Sequence, residues 1–342
     1  LKKTLINILK FIIPLGLGVF LIWLVVKDLS AEDRDNVWQS FREANYFWVV
    51  VVMIAGLFSH LSRAYRWLLM LESLGYKSKF ANSFFAVAIG YLANLAFPRL
   101  GEVTRCGIMN RYEKVPLPAL LGTVIAERVI DMLILLVLTF ITLFTQYQLL
   151  ANLINTYLVF PIQGKIAVLK DSIGLVILVL SIASVLAVAL FIFLKKRLKK
   201  FFEKISAVTK SFAEGLITIK NVRNKGSFVF HSLFIWTMYI AMMYLSTFAL
   251  AETTGLSVGA MLSAFVFGTF GMIAVQGGIG AYPAIIMVVL ELYGTSKTGG
   301  FAFGWLIWSA QTVVILVLGF LSLILLPSFN KQIATDSQIK KE

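Results

Sequence analysis

Eight charged residues stand where an apolar chain should carry none. Arg63 and Arg66 lie three positions apart in RAYRW; Arg99, Glu102 and Arg105 follow one another at the same step in NLAFPRLGEVTR; Glu127, Arg128 and Asp131 fall together in ERVID. On a helix, residues three or four apart share a face, so His60, Arg63 and Arg66 line one side of their helix, and Glu127 and Asp131 one side of theirs. Guanidinium groups grip phosphate or carboxylate oxygens in pairs, and the carboxylates balance them. The chemistry this suits is the holding of an anion, and a proton taken up by Glu127 or Asp131 could couple binding to a proton gradient. Two simpler readings stand beside it. Arg66 could snorkel to headgroups from its place near a helix end, and Arg63 could form a purely structural ion pair with the ERVID carboxylates.

A second polar interruption, QGGIGAYP, supplies Gln276, Gly277, Gly278, Gly280 and Tyr282. Broken helices bare backbone N–H groups that suit anions, and glycine allows a ligand close to the backbone. Metal and thiol chemistry find no support. Cys106 is the single cysteine, and the two histidines, His60 and His231, sit far apart in apolar runs. No motif calls for a cofactor.

The elements that must position these residues are membrane helices. The chain is 59% hydrophobic and 14% charged over 342 residues, and runs such as 173–194 and 301–326 hold no charge over more than the ~18 residues that mark a span. A net charge of +14 would suggest nucleic acid in a soluble protein; here basic loops that set topology and meet anionic lipid explain it, and no nucleic-acid partner is expected. The basic start lacks a small-residue cleavage pattern and reads as a retained helix. The expected fold is an all-α polytopic membrane protein with six full spans near 8–26, 47–71, 118–145, 172–194, 229–251 and 301–326. Two shorter stretches, 81–97 and 258–293, are expected to dip into the bilayer and return.

With cytoplasmic N- and C-termini and both dips re-entrant, cytoplasmic segments carry 22 Lys and Arg and external ones 6, the bias that the positive-inside rule demands. One transmembrane domain then occupies 1–330: the first span and an external loop (1–46), a helix–dip–helix unit (47–145), a connecting span with a basic segment (146–228) and a second such unit (229–326), followed by a short cytoplasmic tail (331–342). The two dips enter from opposite faces. That is the inverted-repeat arrangement of transporters whose sites lie where broken helices meet. The alternative is that the dips are short helices packed in the bundle. Pro98 and Gly101 are expected to open the first dip, with Asn94, Arg99, Glu102 and Arg105 lining what it opens onto.

With these motifs in view, the chain resembles the lysylphosphatidylglycerol synthase transmembrane-domain family, the flippase-like domain proteins. The stretches that carry the likeness are R-x-x-R-W from Arg63 to Trp67, N-x-x-x-P-R-x-G-E-x-x-R from Asn94 to Arg105, E-R-x-x-D from Glu127 to Asp131 and Q-G-G-I-G from Gln276 to Gly280. The resemblance implies a helical bundle with re-entrant hairpins in a bacterial-type plasma (inner) membrane. In the family's best-known member it also implies movement of aminoacylated lipid between leaflets. Aminoacyl transfer belongs to a separate soluble domain and is not expected here, because sixteen residues follow the last expected span. The family often has an acidic residue three positions after its last motif glycine. Pro283 stands there in this chain, so no carboxylate role is expected.

The expectation from sequence is therefore a lipid transporter without covalent chemistry. It would bind a phospholipid or polyprenyl-phosphate head group between two hairpins, with the bilayer and an anionic lipid or lipid-linked phosphate as partners and no oligomeric state specified. A lipid-phosphate enzyme, phosphatase or glycosyltransferase, is the main rival, but neither histidine sits in a recognisable phosphatase setting. A lipid-binding regulatory protein using the basic 195–225 segment is the third reading.

Overall fold

The computed structural model describes residues 30–97, 99–147 and 222–339, with isolated positions 16, 19, 20, 23 and 27; for 332–339 it describes backbone only. Most of the expected first span, the span at 172–194, nearly all of the basic segment and Pro98 lie outside those residues. The chain divides into two compact units, Leu1–Leu138 with Gly215–Glu342, and Thr139–Glu214. The second is described only over 139–147, the end of a helix.

Among the described residues every regular element is helical: α1 (Ala31–Glu43), α2 (Tyr46–Ser73), α3 (Phe80–Ala96), α4 (Leu100–Glu113), α5 (Leu117–Thr145), α6 (Lys225–Ser246), α7 (Val258–Ala274), α8 (Ala281–Glu291) and α9 (Lys297–Ile339), with short 3-10 turns after α6 and between α7 and α8. Tyr46–Ser73, Lys225–Ala249 and Lys297–Lys331 are long and apolar enough to cross a membrane, and α5 runs for 29 residues. The order long–short–short–long appears twice, as α2–α5 and as α6–α9. Two apolar cores form, one mainly from the first set around Trp67, Met70 and Met109 with Phe228 of α6, and the other mainly from the second set around Trp236, Ile286 and Phe303 with Leu135 of α5.

Contacts along the helices fix their directions. Asn45 N–H donates to the Ala249 carbonyl at 2.8 Å, Gly56 backs onto Met242, and Ser62 Oγ meets His231 Nδ1 at 2.8 Å. So α2 and α6, the leading helices of the two sets, run antiparallel. Helix α9 serves both sets. Gly300 and Gly304 press against Met287 and Pro283 of α8 and Trp308 Nε1 donates to the Gly277 carbonyl at 2.7 Å, whereas Gly319 presses against Leu92 and Asn330 pairs with Asn82 of α3. The α7/α8 hairpin therefore lies along the first part of α9 and the α3/α4 hairpin along its last part. Their tips meet near its middle. In an apolar bundle, close backbone approach at small residues replaces the hydrophobic effect as the packing force, which is why glycines mark these crossings.

The two tips turn by different means. The first turns at Arg99, which takes a left-handed conformation (φ 63°), rare for a side-chain-bearing residue. Gly101 does not open this helix as the sequence suggested. It lies in the first turn of α4, where a Cβ would fall on the carbonyl of Gly90, so it closes α3 onto α4. Asn94 Oδ1 accepts from Gly101 N–H at 2.7 Å and so serves an otherwise unpaired donor at the start of α4. The second tip turns at Gly277, Gly278 and Gly280, all at positive φ.

Two other features depart from the sequence reading. The loop at 27–46 contains α1, opened by a capping box in which Ser30 and Asp33 exchange hydrogen bonds; the Ser30 donors hold the Asp33 carboxyl below its usual range. Helix α9 continues through Pro327 rather than ending near 326. Asn330 caps the Leu326 carbonyl at 2.9 Å and pairs with Asn82, which anchors the helix beyond the proline.

Candidate functional site

Glu127 is the centre of the site. It lies on α5, is fully buried and has both oxygens taken by guanidinium groups. Arg63 Nη1 reaches Oε1 at 2.5 Å, Arg66 Nη2 lies 3.5 Å from the same oxygen, and Arg105 Nη2 reaches Oε2 at 2.8 Å. One turn further along α5, Asp131 accepts from Arg63 Nη1 at 2.8 Å and pairs with Arg66 Nη1 at 2.9 Å. The three-residue spacing of α2 puts Arg63 and Arg66 on one face, and the four-residue spacing of α5 puts Glu127 and Asp131 opposite them. Arg105 enters from α4.

Neighbouring side chains fix this cluster. Arg63 Nη2 donates to the Tyr239 hydroxyl at 3.2 Å, and Arg66 Nη1 lies 3.4 Å from Ser232 Oγ, both on α6. The Arg105 guanidinium lies over the Trp67 ring, 4.6 Å from its centroid, and the Trp67 indole donates to Thr123 Oγ1 at 2.9 Å. Ionisable groups inside an apolar bundle are costly and persist when paired or functional; removing one member of such a pair typically costs about 3–5 kcal/mol. Arg66 has no exposed surface, so it does not snorkel to headgroups.

Beside the cluster, a cleft opens between α3, α4 and α5. It is shallow, with about 10 Å³ of room for a water-sized sphere, and Gly90, Tyr91, Asn94, Glu102, Arg105 and Arg128 are among its lining residues. At its rim Arg128 Nη2 donates to Glu102 Oε1 at 2.7 Å, with the Arg128 side chain 49% exposed. Glu102 Oε2 and Arg105 Nε are buried in the cleft wall with no hydrogen-bond partner.

The sequence-selected residues therefore divide. Arg63, Arg66, Arg105, Glu127 and Asp131 form the buried cluster, while Asn94, Gly101, Glu102 and Arg128 join Arg105 at the cleft. Arg99 does not come with them: it is exposed at the hairpin tip and makes no ion pair with a described residue. Tyr282 packs in the core of the second set, its ring against Gly268, rather than at the cleft. Gln276 reaches the first hairpin, donating through Nε2 to the Leu95 carbonyl at 3.1 Å, while Gly277, Gly278 and Gly280 shape the second tip. Pro98 lies outside the described residues.

Sequence reasoning missed Tyr91, Tyr239, Ser232 and the stacking role of Trp67. Tyr91 precedes Asn94 by three positions, so the helical repeat alone places it on the cleft face. Tyr239 and Ser232 carry no such signal, because their part depends on the antiparallel packing of α6 on α2.

A helical bundle that buries four charged side chains beside a cleft, and that carries several helices of membrane length, is an integral membrane protein with a polar site inside it. The family described as "Lysylphosphatidylglycerol synthase TM region" matches residues 11–319, and the chain belongs to that family. It is also 26% identical over 146 residues to a UPF0104 membrane protein of Methanocaldococcus jannaschii, a match that covers 42% of this chain and 39% of that relative. No solved structure matches.

Proposed function

We propose that the protein moves a lipid with an anionic head group between the leaflets of a plasma membrane, without covalent chemistry. The observation that carries the reading is the arginine-rich cluster with Arg105 opening onto the cleft, built just behind the tip of the first hairpin. In this reading the α3/α4 and α7/α8 hairpins are re-entrant from opposite faces, the bundle has six full spans, and both termini are cytoplasmic. Tip-to-tip contact beside the middle of α9, the antiparallel pairing of α2 with α6 and the positive-inside bias all support that topology. The cleft's Arg105 and Arg128 would hold the head group while the tails stay in the lipid. Membership of a lipid-related membrane family adds weight.

The test is transport in proteoliposomes with a fluorescent phospholipid of anionic head group. The expected result is faster loss of leaflet asymmetry than in protein-free vesicles, with no inorganic phosphate released. Phosphate release without lipid movement would replace the transporter with a lipid-phosphate hydrolase.

A further inference from the structure

Helix α1 lies against the end of the bundle where α2 and α9 begin. Val37 and Phe41, with Ala44 just beyond the helix, pack against the core built around Trp236 and Phe303, and Asp33 stands within electrostatic reach of Lys297 at the start of α9. Tyr46 Oη, at the start of α2, donates to the Phe41 carbonyl at 2.7 Å. These apolar contacts use one face of α1. Arg34, Trp38 and Arg42 follow one another at steps of four, so they form a stripe along one flank of that face, and all three are exposed, Trp38 to 64%. Glu32, Asp35 and Glu43 fall further round the helix, away from Val37 and Phe41.

Two features of this stripe point to its partner. Helix α1 carries four carboxylates, yet among the described residues neither Arg34 nor Arg42 pairs with one. Nor does Trp38 stand alone. Its ring meets that of Phe41 edge-on with 6.1 Å between centroids, and Phe41 holds Tyr46, from which exposed Phe47, Val50 and Ile54 lead down a helix of membrane length. The exposed tryptophan is therefore continuous with surface that faces lipid. Tryptophan and tyrosine gather where hydrocarbon gives way to headgroups, and an arginine lays its stem on apolar surface while its guanidinium reaches a phosphate.

We propose that α1 lies in the plane of the membrane interface and docks on the phospholipid headgroup layer. Trp38 sits at the boundary between acyl chains and headgroups, Arg34 and Arg42 hold lipid phosphates on either side of it, and Glu32, Asp35 and Glu43 turn to water. The other face of the same helix packs on the second set of helices and the start of α9, so the headgroup layer sets their depth in the bilayer. This anchoring stands apart from the transport reading and survives if no lipid is moved.

The experiment reads the depth of α1 by spin labelling. Cys106 is the single cysteine and is buried, so the unsubstituted chain serves as the blank. Trp38→Cys and Gln39→Cys, both at exposed positions, are labelled in the full chain and reconstituted into vesicles of phosphatidylcholine and phosphatidylglycerol. Power saturation compares collisions with oxygen, which gathers in hydrocarbon, and with a nickel chelate, which stays in water. The ratio of oxygen to nickel accessibility should be several-fold higher at position 38 than at position 39. Adding Arg34→Gln and Arg42→Gln to Trp38→Cys should lower the ratio at 38 toward that at 39. Equal ratios at the two positions put α1 in water and overturn the proposal. Protection of position 38 from both reagents also overturns it, in favour of a protein partner. A ratio that the two arginine substitutions leave unmoved overturns the phosphate contacts.

Discussion

The side chain of Gln276 donates to the backbone carbonyl of Leu95 at 3.1 Å and so joins two hairpin tips that are 181 positions apart in sequence. Neither tip could complete this contact alone. The glycines at 277, 278 and 280 turn the second hairpin so that Gln276 faces the last turn of α3, and Trp308 holds the turn from behind through the Gly277 carbonyl.

Gln276→Met keeps roughly the size of the side chain and removes the donor without adding a charge. One neutral hydrogen bond is worth about 1 kcal/mol, so the variant should fold and melt slightly earlier. Amide exchange measured by mass spectrometry should quicken in the last turn of α3, around residues 93–97. Unchanged exchange there would mean that the tips do not hold each other.

Glu127 answers to a harsher rule. Glu127→Gln leaves three buried guanidiniums facing Asp131 alone, and breaking a buried pair costs about 3–5 kcal/mol. Thermal unfolding in detergent should show a large drop in stability. The double variant Glu127→Gln with Arg105→Gln should recover part of the loss, because the partner stripped of its carboxylate is gone as well. Strict additivity of the two single losses would mean that the pair does not interact.

The fold and the cluster were legible in the sequence to different depths. The spacing of Arg63 with Arg66 and of Glu127 with Asp131 announced two charged helix faces, and the long–short–short–long order could be read from the lengths of the apolar runs. That Arg63 would meet the carboxylates of Glu127 and Asp131 could only be offered as one alternative, and that Arg66 and Arg105 join them was not foreseen, since helix periodicity says nothing of which faces meet. Gly101 was misjudged for the same reason. A glycine three positions after a proline looks like a break, whereas its use here is set by Gly90 eleven residues earlier. The end of α9 was misplaced because the Asn82–Asn330 pair that anchors it is long-range.

The two glycines of α4 should respond in opposite ways to alanine. Gly101→Ala would drive a Cβ into the Gly90 carbonyl, so the hairpin must part, at a cost of about 1–3 kcal/mol. Gly107 meets nothing within contact distance, so Gly107→Ala should gain about 0.5–1 kcal/mol from helix propensity alone. Melting temperatures of the two variants decide the matter, and equal shifts would contradict the close approach of α3 and α4.

Arg99 and Arg105, six positions apart, should separate cleanly in lipid binding. Arg99 is exposed and takes a left-handed conformation that costs a side-chain-bearing residue about 1–2 kcal/mol. Arg99→Gly removes the charge and suits the turn, so the variant should be no less stable and should keep its lipid retention and transport. Arg105 is buried, pairs with Glu127 and lines the cleft. Arg105→Gln retains the stacking surface over Trp67 in part but loses the cation, and it should lower retention of an anionic lipid about tenfold. Melting alone would not distinguish a binding role from a structural one, so the informative reading is retention at a temperature where the variant is fully folded. Normal retention by folded Arg105→Gln, or loss of retention in Arg99→Gly, would move the binding site away from the cleft and toward the exposed hairpin tip.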